Sequence, residues 1–140
     1  MPNRSKTQIL VVDHDPRIRE GLGMLLMCAG YGVATADNGA SALLHLSRVL
    51  PDVIITDLDM PRMSGVELIS HVRRSHPSVA IVAMSDDYQG EAVPAGIIAD
   101  RFYPKVQPPQ YLLTTIASLI ATSPAHRSAH NDRSPPALDS

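Results

Sequence analysis

The sequence predicts an α/β fold, a doubly wound sheet of five parallel strands in the order 2-1-3-4-5 with helices on both faces. Short apolar runs alternate with amphipathic helical stretches along the chain, the pattern of repeated βα units joined by right-handed crossovers. The run Val53 to Thr56 is apolar on both sides, as a central parallel strand has to be. Four of the strand-like runs end on Asp13, Asp57, Ser85 and Lys105. In an open parallel sheet the carboxyl ends share one edge, and ligands bind there.

The first strand is predicted over residues 8–12. Asp15-Pro16 reads as an N-cap followed by proline at the first helical position, and Ile18, Leu22, Leu25, Leu26 and Ala29 fall on one helical face. Cys28 lies in this stretch and is expected to be a small buried side chain. It is the one cysteine, so it forms no internal disulfide. Gly30 ends the helix, and Tyr31 to Ala36 is the second strand. Asn38-Gly39 opens a second helix, expected to turn Leu43, Leu46 and Leu50 inward and to close at Pro51.

After the third strand, Ser64-Gly65-Val66-Glu67 fits a capping box. It starts a helix using Val66, Ile69 and Val72 that stops before His76-Pro77. Val79 to Met84 is the fourth strand. A short or bent helix near Tyr88–Ala95, disturbed by Pro94 and Gly96, leads to a fifth strand over about residues 100–103. Pro108-Pro109 launches the last helix, with Leu112, Leu113, Ile116, Leu119 and Ile120 at core spacing. Residues 122–140 are Ser/Pro/Ala/His-rich without apolar period and are expected to be a disordered tail, leaving residues 7–121 as one folded domain. His126 and His130 in that tail are read as polar residues, with no further ligand type nearby.

Composition narrows the function classes. The chain is 44% hydrophobic and 19% charged, which is globular. A net charge of −2 supplies no basic field for nucleic acid or an anionic membrane surface. No apolar run approaches the ~18 residues of a membrane span, and the first residues lead into a strand instead of a signal-peptide core. The expectation is a cytoplasmic domain with no nucleic-acid or membrane partner.

Strand order 2-1-3-4-5 puts strands 1 and 3 side by side at the switch point, so Asp13 and Asp57 become neighbours. Two acids, the Ser85 hydroxyl and the Lys105 ammonium on one edge suit the chemistry of a phosphoryl group. Each residue alone has an ordinary explanation: Asp15 as an N-cap, Asp52 as a turn residue, Phe102 as core, Ser85 as a loop cap and Lys105 as a solvated charge. The coincidence of Asp13, Asp57, Ser85 and Lys105 at four strand ends argues for a site.

On Val11-Val12-Asp13-His14-Asp15-Pro16, Pro51 through Gly65, Met84-Ser85 and Phe102-Tyr103-Pro104-Lys105, the chain resembles a receiver domain of bacterial two-component response regulators, over residues 8 to about 121. The resemblance implies a flavodoxin-like fold and a phosphoacceptor that signals by protein–protein contacts and is not an enzyme. Asp57 would receive the phosphoryl group from a histidine kinase or phosphotransfer protein, using its carboxylate as nucleophile. Mg2+ would be held by Asp13, Asp57 and the backbone carbonyl of Asp59. Lys105 would pair with a phosphoryl oxygen, Ser85 would donate its hydroxyl to another, and Phe102 would follow Ser85 as a switch residue.

The sequence also departs from the family. His14 stands where a second metal-binding acid is usual. An imidazole, with an ordinary pKa of about 6.5, suits zinc, nickel or copper better than magnesium. Two readings follow: weaker Mg2+ binding with Mn2+ better tolerated, or an imidazole turned outward with water completing the shell. Val106 replaces a proline, so the Lys105–Val106 bond is expected trans, with the Lys105 loop shifted. Asp86 adds a carboxylate near the phosphoryl path. Pro94, Gly96 and a segment about two residues short change the fourth helix, part of the family's docking face. Two other functions share these residues. One is a degenerate receiver that binds partners without phosphorylation. The other is a phosphohydrolase similar to the haloacid-dehalogenase type through Asp57-Leu58-Asp59.

Overall fold

Side chains alternate across a strand, and the two alternating sets of these strands build two cores. The computed structural model describes residues 6–86 and 98–122. Strands β1 (Gln8–Val12), β2 (Gly32–Ala36), β3 (Val53–Asp57), β4 (Ala80–Ser85) and β5 (Arg101–Pro104) form one parallel sheet in the order β2-β1-β3-β4-β5. Helices α1 (Pro16–Cys28), α2 (Gly39–Leu46), α3 (Gly65–Ser75) and α4 (Pro109–Thr122) flank it. On one face Leu10, Val12, Ile54, Ile81 and Phe102 pack with Leu46 of α2 and Leu68 and Val72 of α3. On the other, Ile9, Val11, Ile55, Val82 and Tyr103 pack with Leu26 of α1 and Leu112 and Ile116 of α4. The expected helix near Tyr88–Ala95 and the expected tail from residue 123 lie outside the described residues.

Local signals set the helix starts. Asp15 caps α1 by accepting from the Arg17 N–H, with Pro16 at the first helical position. Ser64 and Glu67 form the reciprocal capping box of α3. Gly30 follows α1 at φ 101°, a left-handed conformation that glycine adopts without steric cost.

Three expectations about helix faces are corrected. Cys28 is exposed, as is Ala29. The buried face of α1 runs through Leu22, Gly23 and Leu26, and Cys28 sits two positions past Leu26, about 200° around the helix. Helix α2 ends at Leu46 with Ser47 as C-cap, so the chain has left the helix before Leu50, which is exposed. In α3 the buried set is Gly65, Leu68, Ile69 and Val72. Val66 faces solvent, because Leu68 fills the place assigned to it.

Register positions the chemistry. Val12 pairs with Thr56 across β1 and β3, so Asp13 and Asp57 leave the sheet side by side. Asp57 is opposite Met84 across β3 and β4, and Ser85 is opposite Pro104 across β4 and β5. The Lys105 N–H then donates to the Ser85 carbonyl at 3.0 Å, carrying the ladder one step past β5.

Candidate functional site

Asp13, Asp57 and Ser85 are buried polar residues at the carboxyl edge of the sheet, at 0%, 2% and 0% exposure. Burial of two neighbouring carboxylates is costly unless cations and hydrogen bonds compensate. Lys105 provides the first compensation. Its Nζ lies 2.8 Å from Asp13 Oδ2 and 3.3 Å from Asp57 Oδ2. Backbone N–H groups provide the second. Asp15 N–H donates to Asp13 Oδ1 at 2.9 Å, and Asp59 N–H donates to Asp57 Oδ1 at 3.1 Å. The buried Asp13 Oδ2 is met by the Lys105 ammonium alone among the described residues.

The remaining side chain at the acids is His14. It is half exposed, yet its Nδ1 faces inward, 3.3 Å from Asp57 Oδ2 and 3.8 Å from Asp13 Oδ1. The His14 imidazole, two residues past the end of β1, thus reaches back over the strand ends instead of turning outward. Asp13, His14 and Asp57 each present one donor atom within 4.8 Å of the other two. These residues fit a divalent cation, since two buried carboxylates face one ammonium and leave negative charge to offset.

Electrostatics follow the same geometry. Burial pushes the Asp57 carboxyl above its ordinary value, the Asp59 N–H and Lys105 oppose this, and Asp13 adds to it. For Lys105, burial alone would lower the value, but the Asp13 and Asp57 carboxylates hold it above 10.5. Lys105 thus stays a cation beside Asp57.

Asp13, His14, Asp57, Ser85 and Lys105 all stand at this edge. Ser85 Oγ donates to Asp59 Oδ2 at 3.0 Å, so the Asp59 side chain also takes part, where the sequence pointed only to its carbonyl. Phe102 lies in the core cluster at 2% exposure, below the site and not in it. Asp86 and Val106 are exposed. The described residues contain no cis peptide bond, so Lys105–Val106 is trans as expected. The trans bond does not take Lys105 from the acids. Gly65 was read as part of the capping box, and its larger role was missed. A Cβ there would collide with the Asp57 carbonyl oxygen and stand 2.7 Å from Leu58 Cα. Glycine inside a helix's first turn, where a capping box has no need of it, was the available signal.

Residues 9–117 match the response regulator receiver domain family, and the chain belongs to that family. It is similar to the response regulator MprA of Mycobacterium leprae, with 34% identity over 116 residues, covering 81% of this chain and 50% of MprA. It is 38% identical over 82 residues to the transcriptional regulatory protein KdpE of Mycobacterium tuberculosis, covering 57% of this chain and 36% of KdpE. The chain spans half or less of the length of these curated relatives. Among solved structures, the chemotaxis response regulator CheY4 of Vibrio cholerae superposes with a TM-score of 0.75 at 29% identity, covering 82% of this chain and 99% of CheY4. TrrA of Thermotoga maritima, in complex with Mg2+ and BeF, superposes at 0.74 with 30% identity, covering 81% and 98%. No helix among the described residues is long and apolar enough to cross a membrane.

Proposed function

We propose that this protein accepts a phosphoryl group on Asp57 from a phosphohistidine of a histidine kinase or phosphotransfer protein, and signals the change through protein contacts. The observation that carries this reading is the convergence of the buried Asp13 and Asp57 carboxylates on the Lys105 ammonium, which bridges them. A carboxylate oxygen of Asp57 attacks phosphorus, an O–P bond forms and the N–P bond breaks, its electron pair leaving with the donor histidine. Before the reaction Lys105 holds Asp57 in place. Afterwards its ammonium is free to pair with a phosphoryl oxygen. Ser85 turns its hydroxyl from Asp59 to a second oxygen, and Phe102 packs into the space that movement vacates.

Asp13, Asp57 and the backbone carbonyl of Asp59 would hold Mg2+, with His14 beside them. Bound there, the ion offsets negative charge gathering on the transferring group. The domain turns over no substrate beyond its own phosphorylation and dephosphorylation. It comprises residues 7–121 and works in the cytoplasm with a downstream protein target.

The test is incubation of the full chain with acetyl phosphate and Mg2+, followed by intact mass. One phosphoryl adduct is expected on the native protein and none on Asp57→Asn. No adduct with any small phosphodonor or phosphorylated kinase would favour a phosphorylation-independent binding module instead.

A further inference from the structure

The pair of buried acids has a third neighbour that the phosphoryl chemistry does not require. His14 follows Asp13 directly, and its Nδ1 approaches a carboxylate oxygen of both Asp57 and Asp13. Nδ1 is the ring nitrogen nearer the backbone, so contact at this atom sets the imidazole close over the strand ends. Two carboxylates against the single Lys105 ammonium leave about one uncompensated negative charge, in a site that is otherwise buried. Asp13 Oδ2, wholly buried, is met only by that same Lys105 ammonium among the described residues. The edge is short of positive charge, and one of the groups facing the deficit is a nitrogen donor.

We infer that His14 is a ligand, and that its Nδ1 with the Asp13 and Asp57 carboxylates makes a mixed nitrogen–oxygen site preferring borderline divalent ions such as Mn2+, Co2+ or Zn2+ to Mg2+. This deepens the proposed function and rests on its placement of the metal beside Asp57. Mg2+ is a hard ion that favours oxygen donors and parts with water reluctantly. Imidazole nitrogen favours later first-row ions, in the order Mn2+ below Co2+ below Ni2+. Replacing a carboxylate by a neutral ring lowers the charge attraction felt by every divalent ion, while the nitrogen returns affinity selectively to the borderline ones. The half exposure of His14 leaves room for water or phosphoryl oxygen in the remaining positions.

Pulsed electron paramagnetic resonance of the Mn2+-loaded full chain tests the ligand directly. Nitrogen-14 hyperfine coupling is expected in the native protein and is expected to vanish in His14→Asp, which keeps His126 and His130 as internal controls. Competitive titration then reads selectivity. His14→Asp should bind Mg2+ more tightly and Co2+ less tightly, changing the ratio of the two affinities by at least about tenfold, the scale on which even groups behind the ligands alter metal binding. His14→Asn, a neutral variant, should lose Co2+ affinity without gaining Mg2+ affinity. Coupling absent from the native protein, coupling that survives in His14→Asp, or an unchanged affinity ratio would overturn the assignment. Adduct formation on Asp57 at saturating Mg2+ is scored apart. Its failure counts against the phosphoacceptor reading, and the nitrogen coupling stands or falls independently.

Discussion

The two edges of the sheet use aspartate in opposite ways. At the amino edge Asp52 and Asp100 each precede a strand, and their carboxylates complete the backbone ladder. Asp52 Oδ2 accepts from the Gln8 N–H and Asp100 Oδ2 from the Ile81 N–H, both at 2.8 Å. Arg73 then neutralises Asp100 at 3.0 Å while also donating to the Ile98 carbonyl. At the carboxyl edge Asp13 and Asp57 point at the same small space and share one ammonium. The amino-edge acids stabilise neighbours that would otherwise lack partners. The carboxyl-edge acids destabilise one another and wait for added positive charge. An acid that closes a hydrogen-bond ladder is structural, and one whose burial is poorly compensated is a candidate for chemistry.

Substitutions at the two edges should therefore have opposite consequences. The largest effect is at Asp57, where Asp57→Asn should abolish the phosphoryl adduct yet raise the melting temperature, because a buried carboxylate is removed from beside Asp13. Lys105→Ala should slow phosphorylation by acetyl phosphate by on the order of 100-fold, as expected when a preorganised charge at the reacting group is lost, measured from the rate of adduct formation. Gly65→Ala should destabilise the fold by about 3 kcal/mol, an overpacking cost raised by the rigidity of the backbone it meets, read from urea unfolding. At the opposite edge, Asp100→Ala should cost about 1–3 kcal/mol by leaving the Ile81 N–H without its acceptor and Arg73 without its carboxylate partner, with adduct formation on Asp57 unchanged. A loss of phosphorylation in Asp100→Ala would break the division between the edges.

The smallest effect is in pH dependence. The folded Asp57 carboxyl lies above the ordinary value of 3.8, chiefly through burial. Between the ordinary and the raised value the native state binds more protons than the unfolded chain. Stability therefore falls as pH rises through that window, and this contribution is fully present only below it. Asp57→Asn should flatten that part of the stability–pH curve in chemical denaturation. The adduct-forming rate of the native protein should decline with acid sooner than an ordinary aspartate would require, because the nucleophile is the ionised form.

Much of this was legible in the sequence, and the exceptions have physical causes. Strand positions followed from the apolar runs and the doubly wound class from the connection rules, while the order 2-1-3-4-5 is what the family resemblance implies. The caps of α1 and α3 could be read because capping is local in sequence. Leu50 and Cys28 were misplaced because a helix end or a rotation about its axis shifts a whole face without altering composition. His14 was ambiguous for a related reason: a single loop dihedral turns an imidazole inward or outward.

The sequence by itself determined which chemical groups stand at the strand ends, since Asp13, Asp57, Ser85 and Lys105 each follow or end an apolar run. Distances among residues up to 92 positions apart, from Asp13 to Lys105, belong to the folded molecule. Sheet register brings Lys105 to both acids, places the Asp59 carboxylate on Ser85 and makes Gly65 the residue that the Asp57 carbonyl can approach. Local pattern encodes secondary structure because its hydrogen bonds are short-range. The balance of charge at a buried edge is set only when chain segments far apart in sequence are packed against each other.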